Sequence, residues 1–268
     1  MIKAVVQFCF ATGTTVLRSI LAKFNVAIVK HSTLRKFEDS QLLIHDFEIM
    51  KRFAKNDFVD LLQKSKSQLR QDLFVLTELD FKRNGFFVEF GATNGVALSN
   101  TYILEKHFDW SGILAEPARV WHKELHRNRN CSIDELCVWR DSSSKLFFIE
   151  TKSPEYSKIS RSTNVIRGSI LGSKEMGYEV STISLEDLLV KHSAPSVIDY
   201  LSIDTEGSEY ETLKAFDFSK FRFRVITCEH NFSNNREKIY LLLLKNGYRR
   251  VHEDLSLFDD WYVSETHL

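Results

Sequence analysis

Proline and glycine are scarce: the chain has three prolines and ten glycines in 268 residues. That excludes a rigid proline-rich linker and any glycine-rich low-complexity tract. Neither sign of charge dominates, since 36 lysines and arginines balance 36 aspartates and glutamates. An overall basic footprint for nucleic acid is therefore missing. Cys9, Cys131, Cys137 and Cys228 lack CxxC spacing, which argues against a zinc site or disulfide framework and for the reduced thiols of a cytoplasmic protein. No apolar run reaches the roughly 20 residues that span a bilayer. The opening MIKAVVQFCFATGTTVL is interrupted by Gln7, Thr12 and Gly13, and no small-residue cleavage site follows. It reads as an amphipathic arm that docks on the protein, on a partner such as a second copy, or peripherally on a membrane.

Core material is plentiful, at 43% hydrophobic and 12% aromatic residues, enough for one large domain. Residues 1–56 read as a helical arm, with Leu43, Phe47, Met50 and Phe53 at helical spacing. Residues 57–268 read as a single α/β domain. Asn56-Asp57 caps a helix, FVDLLQKSK, and QDLFVLTELDFKR forms another that stops at Asn84-Gly85. Strands and helices then alternate: FFVEFG, SNTYILEKHF with Ser99 as N-cap, SGILAE, ARVWHKELHR, CSIDELCVW read as one strand, and an extra strand KLFFIE. After a polar stretch come YEVSTIS, LEDLLVKH, IDYLSID, EYETLKAF, RFRVITCEH and NREKIYLLLLKNG, and the strands YRRVHED and DWYVSE close the chain. Such alternation predicts a mostly parallel sheet covered on both faces, with the last two strands as an antiparallel edge hairpin. Trp110, Trp121 and Trp139 belong to packing; Trp261 fits packing or a site equally.

The turn EFGATNG ends the first strand of this alternation. Ligands of such sheets sit at the carboxyl ends of the strands. Two glycines, Gly91 and Gly95, fall short of the three that a dinucleotide fingerprint needs. The next strand, GILAEPA, ends in Glu116, an acid placed to accept the hydroxyls of a ribose. A nucleoside without a pyrophosphate describes S-adenosylmethionine.

The segments FFVEFGATNGVALSNTYILEK, GILAEP, VSTISLEDLL, IDYLSIDTEGSEYETLKAF and RVITCEHN occur in the order seen in the FkbM family of S-adenosylmethionine-dependent methyltransferases, which residues 66–263 resemble. The resemblance implies a Rossmann-like class I methyltransferase fold, a seven-stranded, mostly parallel sheet with an antiparallel last strand. It implies that Glu89, Gly91, Ala92, Asn94 and Gly95 line the methionine end of the cofactor, with Ser99 and Asn100 at the helix start. Glu116 would hold the ribose, Pro117 would shape the adenine pocket, and Asp134 or its neighbours would flank the adenine. A Ser-Gln-x-x-Gln-Asp element appears as Ser67, Gln68, Gln71 and Asp72, with Arg70 where the family often has glycine.

Methyl transfer to a hydroxyl requires alignment and removal of the hydroxyl proton. Two neighbouring strand tips carry candidates. SIDTEGSEYE presents Asp204 and Glu206, and TCEHN presents Glu229, His230 and Asn231. One reading is a divalent cation such as Mg2+ held by Asp204, Glu229 and His230 or Asn231. The other is metal-free, with His230 as general base and Asp204 or Glu206 orienting cofactor or acceptor. Glu209 and Glu211 fit a helix's first turn, where carboxylates are favoured. Lys158, Arg161 and Arg167, in the polar stretch, are either solvated surface or contacts for an acidic or phosphorylated acceptor. The function so read is O-methylation of a sugar, a glycan or a related natural product. A nicotinamide-dependent oxidoreductase and a non-catalytic methyltransferase-like binding module are the alternatives.

Overall fold

The computed structural model describes residues 31–53, 58–151, 158–159, 165–166, 169–170, 176–205 and 207–266. The elements in chain order are α1 (His31–Phe53), α2 (Phe58–Lys64), α3 (Gln71–Glu78), β1 (Phe86–Phe90), α4 (Tyr102–Phe108), β2 (Ser111–Ala115), α5 (Arg119–Asn128), β3 (Ser132–Asp134), β4 (Cys137–Trp139) and β5 (Lys145–Glu150). They continue with β6 (Lys158–Ile159), β7 (Val165–Ile166), β8 (Ser169–Ile170), β9 (Met176–Ser184), α6 (Leu185–Lys191), β10 (Val197–Ile203), α7 (Glu209–Ala215), β11 (Arg222–Glu229), α8 (Asn235–Lys245), β12 (Tyr248–Val251), α9 (Glu253–Ser256) and β13 (Asp259–Ser264). The chain divides after Arg52 into two units. In the first, α1 leaves Leu43 and Phe47 exposed. Among the described residues no helix is long and apolar enough to cross a membrane.

The second unit is built on a seven-stranded sheet in the order β12-β13-β11-β10-β1-β2-β3. Its strands are parallel except β13, which runs antiparallel to both neighbours. This is the sheet that the resemblance implies. Successive residues of β1 point to opposite faces, yet Phe87, Val88 and Phe90 are all buried, as a parallel strand covered on both sides requires. One face packs Val88, Ile113, Leu201 and Ile226 into a cluster with Leu188, Leu213 and Leu243 of the covering helices. Trp261 belongs to packing: it is fully buried and stacks on Phe74 at 4.6 Å.

Several local expectations are corrected. CSIDELCVW is two strands in two sheets, because Asp134 Oδ1 accepts the Leu136 N–H at 3.0 Å and turns the chain between β3 and β4. β4 pairs with β9, and β9 belongs to a second, mainly antiparallel sheet with β5, β6, β7 and β8. Helix α3 ends at Glu78, where Asp80 and Phe81 take positive φ. Helix α4 starts at Tyr102, and Ser99 is drawn instead to the carboxylate of Glu89. Arg70, at the N-cap of α3, has φ 61 and ψ 32, the left-handed conformation in which glycine is free of strain.

Candidate active site

The glycine turn is shaped first by close packing. Gly91 has φ +75, and its N–H donates to Ala115 O of β2 at 3.1 Å. A Cβ on Gly91 would lie 1.9 Å from the Asp204 carbonyl oxygen at the end of β10, so the tips of β1 and β10 tolerate no side chain between them. Gly95, at φ +78, faces α5, where a Cβ would meet Arg129 Cγ at 2.6 Å and Leu125 Cδ1 at 2.7 Å. Between the glycines, Asn94 Oδ1 accepts the N–H groups of Val96 and Ala97 at 3.0 and 2.9 Å.

Glu89, 3% exposed, anchors this turn from inside β1. Its carboxylate accepts Ser99 Oγ at 3.0 Å, Asn100 N at 2.6 Å and Thr101 Oγ1 at 2.5 Å, and lies 3.8 Å from Arg129 Nη1. Burial raises its pKa, opposed mainly by the Arg129 charge. The Arg129 side chain, fully buried, donates to Glu105 Oε2, Gly95 O, Ser99 Oγ and Thr101 Oγ1. Nothing in the sequence around Arg129 signals this role; only the folded turn brings its partners together.

Above the tips of β1, β2 and β10 lies a cleft. Gly91, Thr93, Glu116, Pro117, Asp204, Thr205 and Ser208 supply its polar rim, and Phe90, Leu98, Ala115, Cys137, Val138, Phe148 and Ile159 its apolar wall. The wall from Cys137 to Ile159 comes from β4, β5 and β6, so the second sheet closes one side of the cleft. Glu116 is 5% exposed, with Oε2 accepting Thr93 N at 2.8 Å and Oε1 accepting Ala118 N at 2.8 Å. Burial pushes its carboxyl up to about 7, with the charge of Asp204 adding to the rise.

A smaller cavity adjoins this cleft and shares Leu98 and Asp204 with it. Gln68, Gln71, Asn100, Ile203, Glu229, Phe258 and Asp259 complete its lining. Ser67 joins two of these residues: its hydroxyl lies against Gln71 Oε1 and 2.6 Å from Asn100 Oδ1. Asn100 Nδ2 donates to Ser202 Oγ at 2.9 Å, and Gln71 Nε2 to Asp259 Oδ2 at 3.0 Å. The element from Ser67 to Asp72 is thus built into the site, although Asp72 points away from the cavity. Ser65 Oγ donates to its Oδ1 at 2.8 Å, and burial pushes its carboxyl to about 7.

The geometry corrects the cation site and the histidine base. His230 is 4% exposed and lines neither cavity. Its Nδ1 accepts Phe232 N at 2.9 Å, and its Nε2 donates to Asp259 O at 3.1 Å. Both ring nitrogens are engaged and burial lowers its pKa, so His230 offers no lone pair to a metal or a substrate proton. Among the described residues no three His, Cys, Asp or Glu side chains are grouped to hold a metal ion. Asp204, Glu229 and His230 do not form such a group. Glu206, Arg161 and Arg167 lie outside the described residues. Glu209 caps the turn before α7, accepting Gly207 N at 2.7 Å and Thr205 Oγ1 at 3.1 Å.

Of the eleven residues expected around the cofactor, the cleft brings together Gly91, Glu116, Pro117 and Asp204, and the smaller cavity adds Asn100. Glu89, Ala92, Asn94, Gly95 and Ser99 build the turn without lining either space. Asp134 is turned away altogether: its Oδ2 lies 2.7 Å from Lys191 Nζ and 2.9 Å from His192 Nε2. The sequence reading missed the wall of Val138, Phe148 and Ile159, whose strands lie far apart in the chain, and Asp259, whose acid is buried at the start of the antiparallel strand.

Residues 89–250 match the model of the methyltransferase FkbM domain. No curated protein matches the chain by sequence. Among solved structures, methyltransferase FkbM from Methylobacillus flagellatus KT is 11% identical, with 97% of this chain and 73% of that one covered at a TM-score of 0.42. Precorrin-6y C5,15-methyltransferase from Geobacter metallireducens GS-15 is 13% identical, with 80% and 93% covered at a TM-score of 0.40. At these identities and scores the assignment rests on the family match.

Proposed function

The chain belongs to the FkbM methyltransferase family, and from that premise we propose that it transfers a methyl group from S-adenosylmethionine to a hydroxyl of a sugar, a glycan or a related natural product. One observation supports the cofactor most. Glu116 is a buried carboxylate on the cleft, and each oxygen accepts a single backbone N–H. A carboxylate oxygen has two lone pairs, so each keeps one for a ribose hydroxyl. The neighbouring wall of Val138, Phe148 and Ile159 suits the face of a purine, with Pro117 at its edge. These residues fit the nucleoside part of the cofactor. When bound, S-adenosylmethionine supplies an electrophilic methyl group on a sulfonium. The chain's own task is then to hold the ribose at Glu116, cover the base with the second sheet, and leave the shared Asp204 boundary open toward an acceptor.

Calorimetric titration of S-adenosylhomocysteine, with NAD as a parallel ligand, tests this reading. We expect micromolar binding of S-adenosylhomocysteine, no heat from NAD, and a loss of at least roughly 100-fold in Glu116→Ala, the lower end of the worth of two hydrogen bonds to a charged group. Unchanged affinity in the variant, or binding of NAD in place of the nucleoside thioether, would overturn it.

A further inference from the structure

The first 37 residues contain no aspartate or glutamate, yet they hold six of the chain's lysines and arginines: Lys3, Arg18, Lys23, Lys30, Arg35 and Lys36. The other 231 residues carry the remaining 30 against all 36 acids, so a chain neutral as a whole is basic at one end and acidic over the rest. The basic end is also apolar, with 19 hydrophobic residues among its first 30. We propose that this end of the chain, together with the exposed face of α1, is a docking surface for a bilayer of anionic lipid. The proposal is independent of the cofactor reading, and none of these residues lines the cleft.

Helix α1 has apolar residues on two faces. Ile49 and Phe53, four apart, are buried, and one such stripe is what a helix at the edge of a globular unit requires. Leu43 and Phe47, also four apart, are 70% and 63% exposed, and Ile44 beside them is 57% exposed. At roughly 100° a residue, Phe47 and Ile49 stand about 200° apart, so the two stripes lie on opposite sides of the helix. Lys51, one turn beyond Phe47, is exposed and lies 3.8 Å from Glu48 Oε2. Within α1 the charges balance: Glu38, Asp39, Asp46 and Glu48 stand against Arg35, Lys36, Lys51 and Arg52. The cationic excess comes from the 30 residues that run into the helix, where Lys3, Arg18, Lys23 and Lys30 face no acid of their own segment.

The combination of charge and apolar surface selects the occupant. Anionic headgroups attract lysine and arginine near the membrane surface, and the boundary between headgroups and acyl chains takes leucine, isoleucine and phenylalanine out of water. A nucleic acid would use the basic charge but leave Leu43, Ile44 and Phe47 wet. A second copy would cover the apolar stripe, but a symmetric contact sets the same basic segment against itself. Only a surface with both anionic and apolar layers satisfies both features. Binding of this kind lies on the bilayer and does not cross it.

The test is co-sedimentation of the full chain with vesicles of phosphatidylcholine alone and with vesicles that contain about 30% phosphatidylserine. We expect binding to the anionic vesicles to be at least about tenfold stronger, and to fall at least about fivefold in roughly 0.5 M NaCl, where the attraction is screened. Leu43→Ser combined with Phe47→Ser should weaken it at least about tenfold, with Tm within about 2 °C of wild type because both side chains are exposed. Lys23→Glu combined with Lys30→Glu should abolish the preference for phosphatidylserine while both stripe residues remain. Equal binding to the two kinds of vesicle, no binding to either, or a serine variant that binds like wild type would overturn the proposal. So would dimerisation in analytical ultracentrifugation that the serine variant abolishes without any vesicle binding, which assigns the stripe to a second copy. A serine variant that melts more than about 5 °C early assigns the stripe to packing within the chain and overturns the lipid assignment as well.

Discussion

Glu89 and Glu116 are both glutamates, one inside β1 and one directly after the adjacent parallel strand β2, and are almost equally buried, yet they do opposite things. Glu89 collects three hydrogen bonds and lies beside a buried guanidinium. Glu116 accepts one backbone N–H per oxygen and opens on a cleft. Burial raises the pKa of both; the number of donors on each carboxylate separates them. A buried acid with its acceptor capacity filled is a structural tie. One with capacity left over at a cavity wall is equipped for a ligand.

The largest effect should come from breaking the tie. Glu89→Ala removes three hydrogen bonds and leaves the donors of Ser99, Thr101 and Asn100 without their acceptor. We expect a loss of roughly 3 kcal/mol, seen as a fall in Tm on the order of 10 °C, with cofactor affinity lost as the turn loosens. Calorimetric melting against wild type measures it, and a Tm within 2 °C would show that the cage contributes little.

Glu116 should affect the pH dependence of stability instead. Its folded pKa of about 7 exceeds the ordinary 4.5, so the folded chain binds the proton more tightly than the unfolded chain. Its contribution is full below about 4.5 and is lost as pH rises through about 7. Glu116→Gln should remove on the order of 2–3 kcal/mol of that decline. Denaturant unfolding of both proteins at pH 4.5 and pH 8 gives the difference, and parallel stability curves would refute the shift. The Asp72 carboxyl, also pushed to about 7, declines in the same sense in both proteins and cancels.

The smallest effect belongs to Asp134, a third acid at a neighbouring strand tip. Its partners are Lys191, half-exposed, and His192. We expect Asp134→Asn to cost less than about 1 kcal/mol and to leave the affinity for S-adenosylhomocysteine within twofold. A tenfold loss of affinity would return Asp134 to the adenine pocket.

The strands of the main sheet were legible because parallel strands buried on both faces are written as apolar runs, and VIDYLSI and RFRVITCE are such runs. The acids at their tips were legible too, because a charge directly after such a run stands out. The direction of each acid was not. Asp134 and Glu116 follow similar strands, but a lysine and a histidine from α6, more than 50 residues onward, claim only the first. His230 read as a base from its place beside Glu229; the carbonyl of Asp259 and the amide of Phe232 that occupy its ring come from the tertiary fold. The second sheet was partly hidden, since β4 is three residues long and pairs with β9 across an intervening 36 residues. Arg70 had a visible oddity, a bulky residue where glycine is usual, and its left-handed backbone shows that the turn persists without the glycine.

The contact between Gly91 and Asp204 has a mechanical consequence. With a hydrogen atom as the only spacer between one strand tip and the carbonyl of the next, the tips of β1 and β10 meet in a seam with no slack. The floor of the cleft is therefore set by main chain, and any side chain at position 91 would have to push the two strands apart.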